Sequence, residues 1–216
     1  MTLDQIIQGA TVVAIFLLVA FPVHEFSHAW VAYKLGDSTA RYQGRLSLNP
    51  IVHFDPIGGT ILAISILVAG FGIGWAKPTP VNPYNLRYGR KGETIVAVAG
   101  PISNLVMAAI VAIPLRIIIS NPSMFATIVS NNVASFLFNV AVLFVQIDVL
   151  LLIFNLLPIP PLDGWRGLLG LVDARTAYNL KPFEQYGFVV LLLLIFFAPS
   201  FIGGLGNQIT RFLLGV

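Results

Sequence analysis

The residues of this 216-residue chain most suited to chemistry lie close together in its first hydrophobic stretch, in the run His24-Glu25-Phe26-Ser27-His28. Histidines four positions apart lie on one face of a helix, one turn from each other, so both imidazoles can bind the same Zn²⁺ ion. The glutamate between them is then next to the metal, where it can take a proton from a water molecule. The run therefore predicts metal ligands at His24 and His28 and a proton acceptor at Glu25.

The composition of the chain makes this run unusual. Hydrophobic residues make up 57% of the chain and charged residues only 10%, whereas soluble domains carry about 25% charged residues. This excludes a water-soluble globular protein. Ionisable side chains are rare and costly inside membrane helices, so a cluster of them there indicates function. The alternative, that these residues only mediate helix packing, leaves the glutamate between two histidines unexplained.

Five hydrophobic segments predict an all-α polytopic membrane protein, because a spanning segment must satisfy its own backbone hydrogen bonds. They lie at about 6–33, 57–75, 94–119, 133–157 and 186–202. The predicted fold is a bundle of about four to five transmembrane helices, forming a single domain over residues 1–216. The second segment is bounded by glycines and followed by prolines. It is either an ordinary span or a re-entrant or embedded β-like element after the first helix.

A catalytic zinc ion needs a third protein ligand and an open position for water. The chain has no cysteine, so the candidates are His53, Asp55, Asp148, Asp163 and Glu184. Asp163 is preferred, because three prolines break the helix just before it and free backbone groups beside a carboxylate. Asp148, deeper in the fourth segment, is the main alternative, as a ligand, a proton relay or a partner of Arg116. His53 lies in a polar loop and is expected at the surface or the membrane interface.

Three motifs follow one another along the chain: His24-Glu25-x-x-His28, Gly100-Pro101-x-x-Asn104 and Asn155-x-x-Pro158-x-x-x-x-Asp163-Gly164. In this order they resemble the site-2 protease family of zinc intramembrane metalloproteases, in its compact prokaryotic branch without a PDZ domain. The resemblance covers roughly residues 20 to 170. It implies a zinc-dependent endopeptidase that hydrolyses peptide bonds within or near the transmembrane segments of membrane proteins.

The resemblance also implies roles for individual residues. His24, His28 and Asp163 would bind one Zn²⁺ per chain, and Glu25 would act as general base and proton shuttle. Asn155 would hold the substrate or polarise its scissile carbonyl. The expected partners are single-span membrane proteins and the lipid bilayer, not nucleic acid, since the net charge is only +3. A membrane zinc or proton transporter and an inactive helix-binding scaffold remain the rival interpretations.

The chemistry constrains the topology. The two histidines and Asp163 must meet at one depth, so the first and fourth segments must run parallel, which predicts that segment 57–75 re-enters. The loops at 34–55, 76–93 and 158–185 then share one side and hold ten of the twelve Lys and Arg residues. The positive-inside rule places that side and the active site towards the cytoplasm, in the plasma membrane of a prokaryotic cell. The stretch 75–83 is either an edge for an unwound substrate or a simple proline-rich loop.

Overall fold

The computed structural model describes residues 2–69, 72 and 74–216, and these residues contain no β-strand. The main helices are α1 (Leu3–Lys34), α2 (Pro56–Ile64), α3 (Arg90–Ile119), α4 (Pro122–Ser130), α5 (Asn132–Leu156), α6 (Asp163–Leu171), α7 (Ala174–Phe197) and α8 (Pro199–Leu214). Helices α1, α3, α5 and α7 are long and apolar enough to cross a membrane. The predicted all-α bundle of four to five membrane helices is confirmed.

Helix α1 carries the histidine pair, and an irregular turn just before the pair has a local cause. It begins with a capping box in which Thr2 and Gln5 exchange hydrogen bonds. A wider π-helical turn, Phe16–Ala20, lies directly before Pro22. Proline has no N–H and its ring clashes with the carbonyl four residues earlier, which here lies inside this turn. The helix is regular again over the histidines, so both lie on one face.

The second hydrophobic segment, predicted at 57–75, is helical in most of its described part. Helix α2 continues as a π-helical turn at Ser65–Ala69, and residues 70, 71 and 73 lie outside the described residues. The embedded β-like alternative is wrong for the described residues, because this apolar run satisfies its backbone hydrogen bonds within a helix. At Pro56–Val68 the apolar helix is shorter than the four candidate spans.

The two ends of this segment lie side by side. The N–H of Lys77 donates to the carbonyl of His53 at 2.9 Å. A Cβ atom added to Gly58 would lie 2.8 Å from the indole of Trp75, so only glycine allows the returning chain to pass the start of α2. The residues on either side of this segment thus come together as in a hairpin. Re-entry of the segment into a membrane stays a prediction.

Helix α3 is the centre of the bundle and packs against α1, α5, α6 and α8. Its small residues Ala108 and Ala112 are fully buried, and small side chains let membrane helices approach closely. Ile202 and Leu214 of α8 belong to the same apolar cluster. The predicted segment 186–202 therefore crosses a helix boundary: α7 ends at Phe197, and a proline, which is favoured in the first turn of a helix, begins α8.

Asp37 joins the loop after α1 to the loop before α3. Its fully buried carboxylate accepts hydrogen bonds from the backbone N–H of Asn82 at 2.7 Å, the amide of Asn85 at 3.1 Å and the hydroxyl of Thr39 at 2.5 Å. Burial alone would raise the pKa of Asp37, but these hydrogen bonds hold that pKa below its ordinary value of 3.8. The ionised carboxylate therefore stabilises the connection between the two loops.

Replacing Asp37 by asparagine is expected to destabilise the protein by about 1–3 kcal/mol at pH 7, because buried donors lose a charged acceptor. A carboxyl group whose pKa is lower in the folded than in the unfolded protein stabilises the fold at pH values above its unfolded-state pKa. This stabilisation is lost as the pH falls through the folded-state pKa. The difference from wild type should therefore be full at pH 7 and shrink below pH 3.8. Thermal unfolding in detergent measures it, with the exposed Asp4→Asn as control. A difference that is unchanged in acid would contradict this role.

Candidate metal centre

Three side chains predicted as metal ligands meet at one point. Nε2 of His24 lies 3.0 Å from Nε2 of His28, and Oδ2 of Asp163 lies 3.0 Å and 3.1 Å from these two nitrogens. In a tetrahedral zinc site with ordinary bond lengths, ligand atoms are about 3.3 Å apart. The two histidines are only 4% and 6% exposed. The group could hold a metal ion, and two imidazoles with one carboxylate form a donor set typical of catalytic zinc.

The break in helical structure after α5 positions the third predicted ligand. Leu157 leaves the helical conformation directly before the proline-rich turn, and α6 then begins at Asp163 itself. Gly164 follows against the last carbonyls of α5, where a Cβ atom would lie 2.5 Å from the carbonyl carbon of Leu156. Burial alone would raise the pKa of Asp163, but the neighbouring His28 and His24 hold it below the usual range. The carboxylate is therefore ionised, as a metal ligand must be.

Gly100 of α3 leaves the space that an ion would need. A Cβ atom at this position would overlap Nε2 of His28 and lie 2.5 Å from Nε2 of His24. These are the two nitrogens that face Asp163, so the missing side chain of Gly100 keeps the centre of the cluster open. The residues present thus fit a bound Zn²⁺ ion in both donor chemistry and space.

The other nitrogen of each imidazole is also held. Nδ1 of His28 is 2.7 Å from the backbone carbonyl of Val96, and Nδ1 of His24 is 2.6 Å from the side-chain oxygen of Asn104. Both partners are acceptors, so each Nδ1 carries the proton that it donates, and each Nε2 is left to face the metal position. Such outer contacts orient metal-binding histidines and raise their basicity.

Glu25 is anchored from outside its own helix. Its Oε2 accepts a hydrogen bond from the backbone N–H of Thr79 at 2.8 Å, and the hydroxyl of Thr79 donates to the Glu25 backbone carbonyl at 3.0 Å. Thr79 is almost fully buried, in the loop between α2 and α3. Sequence reasoning missed this contact, because nothing local in the Pro78-Thr79-Pro80 run indicates a partner 54 positions earlier.

The cluster opens into a large cleft between the helices. The cleft has a volume of about 1440 Å³, and its walls include both histidines, Glu25, Asp163 and Asn155. The junction between α7 and α8 lines it from another side, at Pro199. The amide of Asn155 donates to the carbonyl of Leu151, one turn back in its own helix, at 3.0 Å. Asn155 thus lines the same cleft as the cluster, and its catalytic role stays a prediction.

Two acidic residues considered as ligands have structural roles instead. Asp55 begins α2 by accepting hydrogen bonds from the backbone N–H groups of Ile57 and Gly58 at 3.0 Å and 2.8 Å. Glu184 accepts one from the indole N–H of Trp165 at 3.0 Å, which fastens α7 to α6. Neither belongs to the metal-capable group.

His53 and Asp148 also lie outside that group. His53 was expected at the surface or the membrane interface and not as a ligand. It is not at the protein surface, because the residue is 1% exposed and its Nε2 is 2.7 Å from the carbonyl of Ser47. The loop folds over the ring, which the polar composition of the loop did not predict. Asp148 accepts a hydrogen bond from Asn104 at 2.6 Å and does not line the cleft. It is therefore neither a ligand nor the partner of Arg116 that the sequence suggested.

The fold and the cluster define a multi-pass membrane protein with a metal centre between its helices. The chain is 44% identical over 180 residues to a Bacillus subtilis protein named "Putative zinc metalloprotease YwhC", covering 83% of this chain and 78% of that protein. It is also 30% identical over 232 residues to "Putative zinc metalloprotease Rip2" of Mycolicibacterium smegmatis. This match covers 95% of this chain and 84% of that protein. The chain belongs to this family of zinc metalloproteases, and the family implies zinc as the metal.

A further relative, from Mycobacterium tuberculosis, is also named "Putative zinc metalloprotease Rip2". It is 29% identical over 187 residues, which are 86% of this chain and 66% of that protein. No protein-family model and no solved structure matches the chain.

Proposed function

We propose that the protein is an intramembrane zinc endopeptidase of the site-2 protease type, which cuts peptide bonds within or near the transmembrane segments of single-span membrane proteins. One observation carries this proposal. The cluster of His24, His28 and Asp163 shares a cleft with Glu25, between apolar helices long enough to span a bilayer. A site enclosed by such helices suits a substrate that lies in the membrane rather than a soluble one.

His24, His28 and Asp163 would hold Zn²⁺, which supplies Lewis acidity and lowers the pKa of water towards about 7. Glu25 acts as the general base that takes a proton from the attacking water and returns it to the leaving amine. The N–H of Thr79 holds Oε2 of Glu25, which leaves Oε1 as the oxygen that exchanges the proton. Asn155 turns its amide from its own helix to the scissile carbonyl.

The substrate must be unwound, because the peptide bonds of a helix are shielded by their own hydrogen bonds. Within the stretch 75–83, residues 77–80 are a poor edge for the unwound chain. Pro78 and Pro80 have no N–H, and the N–H groups of Lys77 and Thr79 are engaged by His53 and Glu25. Of the two interpretations of this stretch, a proline-rich loop is therefore favoured, and it holds the general base.

The proposed orientation follows from charge. Ten of the twelve Lys and Arg residues fall in the loops at 34–55, 76–93 and 158–185. If segment 57–75 re-enters, these loops share the cytoplasmic side of a prokaryotic plasma membrane. The hairpin formed by Gly58 and Trp75 supports this arrangement. The active site then opens towards the cytoplasm, from which water reaches it.

Cleavage of single-span substrates by the purified protein in detergent tests the proposal. A chelator should remove the activity, and Zn²⁺ but not Mg²⁺ should restore it, because two imidazole ligands suit zinc and magnesium prefers oxygen. Mass spectrometry of the products should place the cut within the span. Cuts confined to soluble parts of the substrate, or cutting that survives chelation, would contradict the proposal.

A further inference from the structure

One buried acid has no part in the mechanism above. Asp148 lies in the C-terminal half of α5, is 0% exposed and does not line the cleft. Its Oδ1 accepts a hydrogen bond from the amide nitrogen of Asn104 at 2.6 Å, and the amide oxygen of Asn104 is 2.6 Å from Nδ1 of His24. We propose that Asp148 is a positioning residue that fixes the orientation of His24 through Asn104. This inference rests on the metal site of the proposed function.

The chemistry of an amide explains why a second residue is needed. The two ends of an asparagine side chain have nearly the same shape, but one donates and the other accepts hydrogen bonds. Asn104 alone could present either end to His24. The oxygen Oδ1 of Asp148 accepts a hydrogen bond, so Asp148 selects the NH₂ end of Asn104, and the carbonyl end is left for Nδ1–H of His24. His28 needs no such device, because its Nδ1 faces a backbone carbonyl, that of Val96.

The energetic cost of Asp148 supports a specific role. Its Oδ2 is buried and has no hydrogen-bond partner among the described residues. An unsatisfied buried polar atom costs about 1–3 kcal/mol, and more when the group is charged. An apolar residue here would therefore stabilise the bundle, unless an acceptor for Asn104 is required. Since Asp148 does not line the cleft, its effect on the metal must pass through its neighbour.

Three variants separate positioning from packing: Asp148→Asn, Asn104→Asp, and the double exchange Asn104→Asp with Asp148→Asn. In Asp148→Asn the residue at 148 can offer either end to Asn104, so the selection is lost. In Asn104→Asp two carboxylates face each other. In the double exchange, the carboxylate at position 104 accepts from His24, and the amide at position 148 donates to it. The exchange keeps the charge and nearly all the atoms, so it should fold even where a single variant does not.

The readout is the metal itself: Zn²⁺ affinity of the metal-free protein by competition with a chromophoric chelator, and the absorption spectrum of the Co²⁺-loaded protein. We expect Asp148→Asn and Asn104→Asp to weaken zinc binding by about 10–100-fold, the usual effect of losing an outer contact of a metal ligand. The Co²⁺ spectrum should change in both. The double exchange should restore the affinity and the spectrum towards wild type.

The outcomes are distinct. Wild-type affinity and spectrum in Asp148→Asn would overturn the positioning role while leaving the proposed enzyme intact. A folded double exchange that binds no better than the single variants would also overturn it, because position 148 would then need its carboxylate for packing alone. Failure of the wild-type protein to bind Zn²⁺ would overturn the metal site and the proposed function as well.

Discussion

Replacing Glu25 by glutamine is expected to slow peptide hydrolysis severely and to leave zinc binding unchanged. Glutamine has the shape of glutamate and its amide oxygen can still accept the N–H of Thr79, so the anchor at 2.8 Å is kept. It cannot take a proton. General base catalysis contributes about 10²–10⁴-fold to a rate, so cleavage should fall by at least about 100-fold. The zinc content should not fall, because Glu25 is not in the ligand group.

Cleavage rate and bound zinc should be measured on the same preparations. Ser27→Ala is a matched control, because Ser27 lies in the same turn and its hydroxyl donates to the carbonyl of Val23 in its own helix, at 2.7 Å. This variant should cut like wild type. Equal cutting by Glu25→Gln and wild type would contradict the assignment of the base. Loss of zinc in Glu25→Gln would mean that the carboxylate holds the metal rather than moving a proton.

The group that could hold a metal ion was predictable because its signals are local. Four-residue spacing on a helix brings His24 and His28 together whatever the rest of the chain does. Asp163 was recognisable from the prolines before it, since a helix break beside a carboxylate is tolerated only where protein or water covers the freed backbone. Thr79 and Asp148 act on Glu25 and His24 across 54 and 124 positions, the latter through Asn104. Such contacts depend on tertiary packing and leave no periodic trace.

The spans were likewise predictable from hydropathy, but their ends were not. Helix α7 begins at Ala174, because the side chain of Asp173 accepts from the N–H groups of Arg175 and Thr176. It passes through a 3-10 stretch at Lys181–Tyr186, and its apolar α-helical part begins at Gly187, one residue after the predicted start at 186. Hydropathy records where a chain can contact lipid. A helix that continues into a polar, charged stretch is set by its cap and its hydrogen bonds instead.

Replacing Gly100 by alanine is expected to weaken zinc binding strongly, and activity with it, without unfolding the protein. The new methyl group would lie 2.5 Å from Nε2 of His24 and overlap Nε2 of His28. Neither ring can turn away freely, because Asn104 and Val96 hold the opposite nitrogens. In the interior of a helix alanine is favoured over glycine by about 1 kcal/mol, which offsets part of the steric cost. We expect zinc affinity to fall by about 100-fold or more, at the upper end of outer-contact effects.

The matched control is Gly167→Ala in α6, where, among the residues that the structure describes, an added Cβ atom would meet only the methyl group of Ala97, at 4.0 Å. This is ordinary contact, so the variant should bind zinc and cut like wild type. The two variants make the same change in two helix interiors, so the gain in helix propensity is the same in both. The difference in zinc affinity between them then reports the position of residue 100 next to the two Nε2 atoms. If Gly100→Ala bound Zn²⁺ with wild-type affinity, the ion could not lie between these nitrogens, and the geometry of the metal centre would have to be revised.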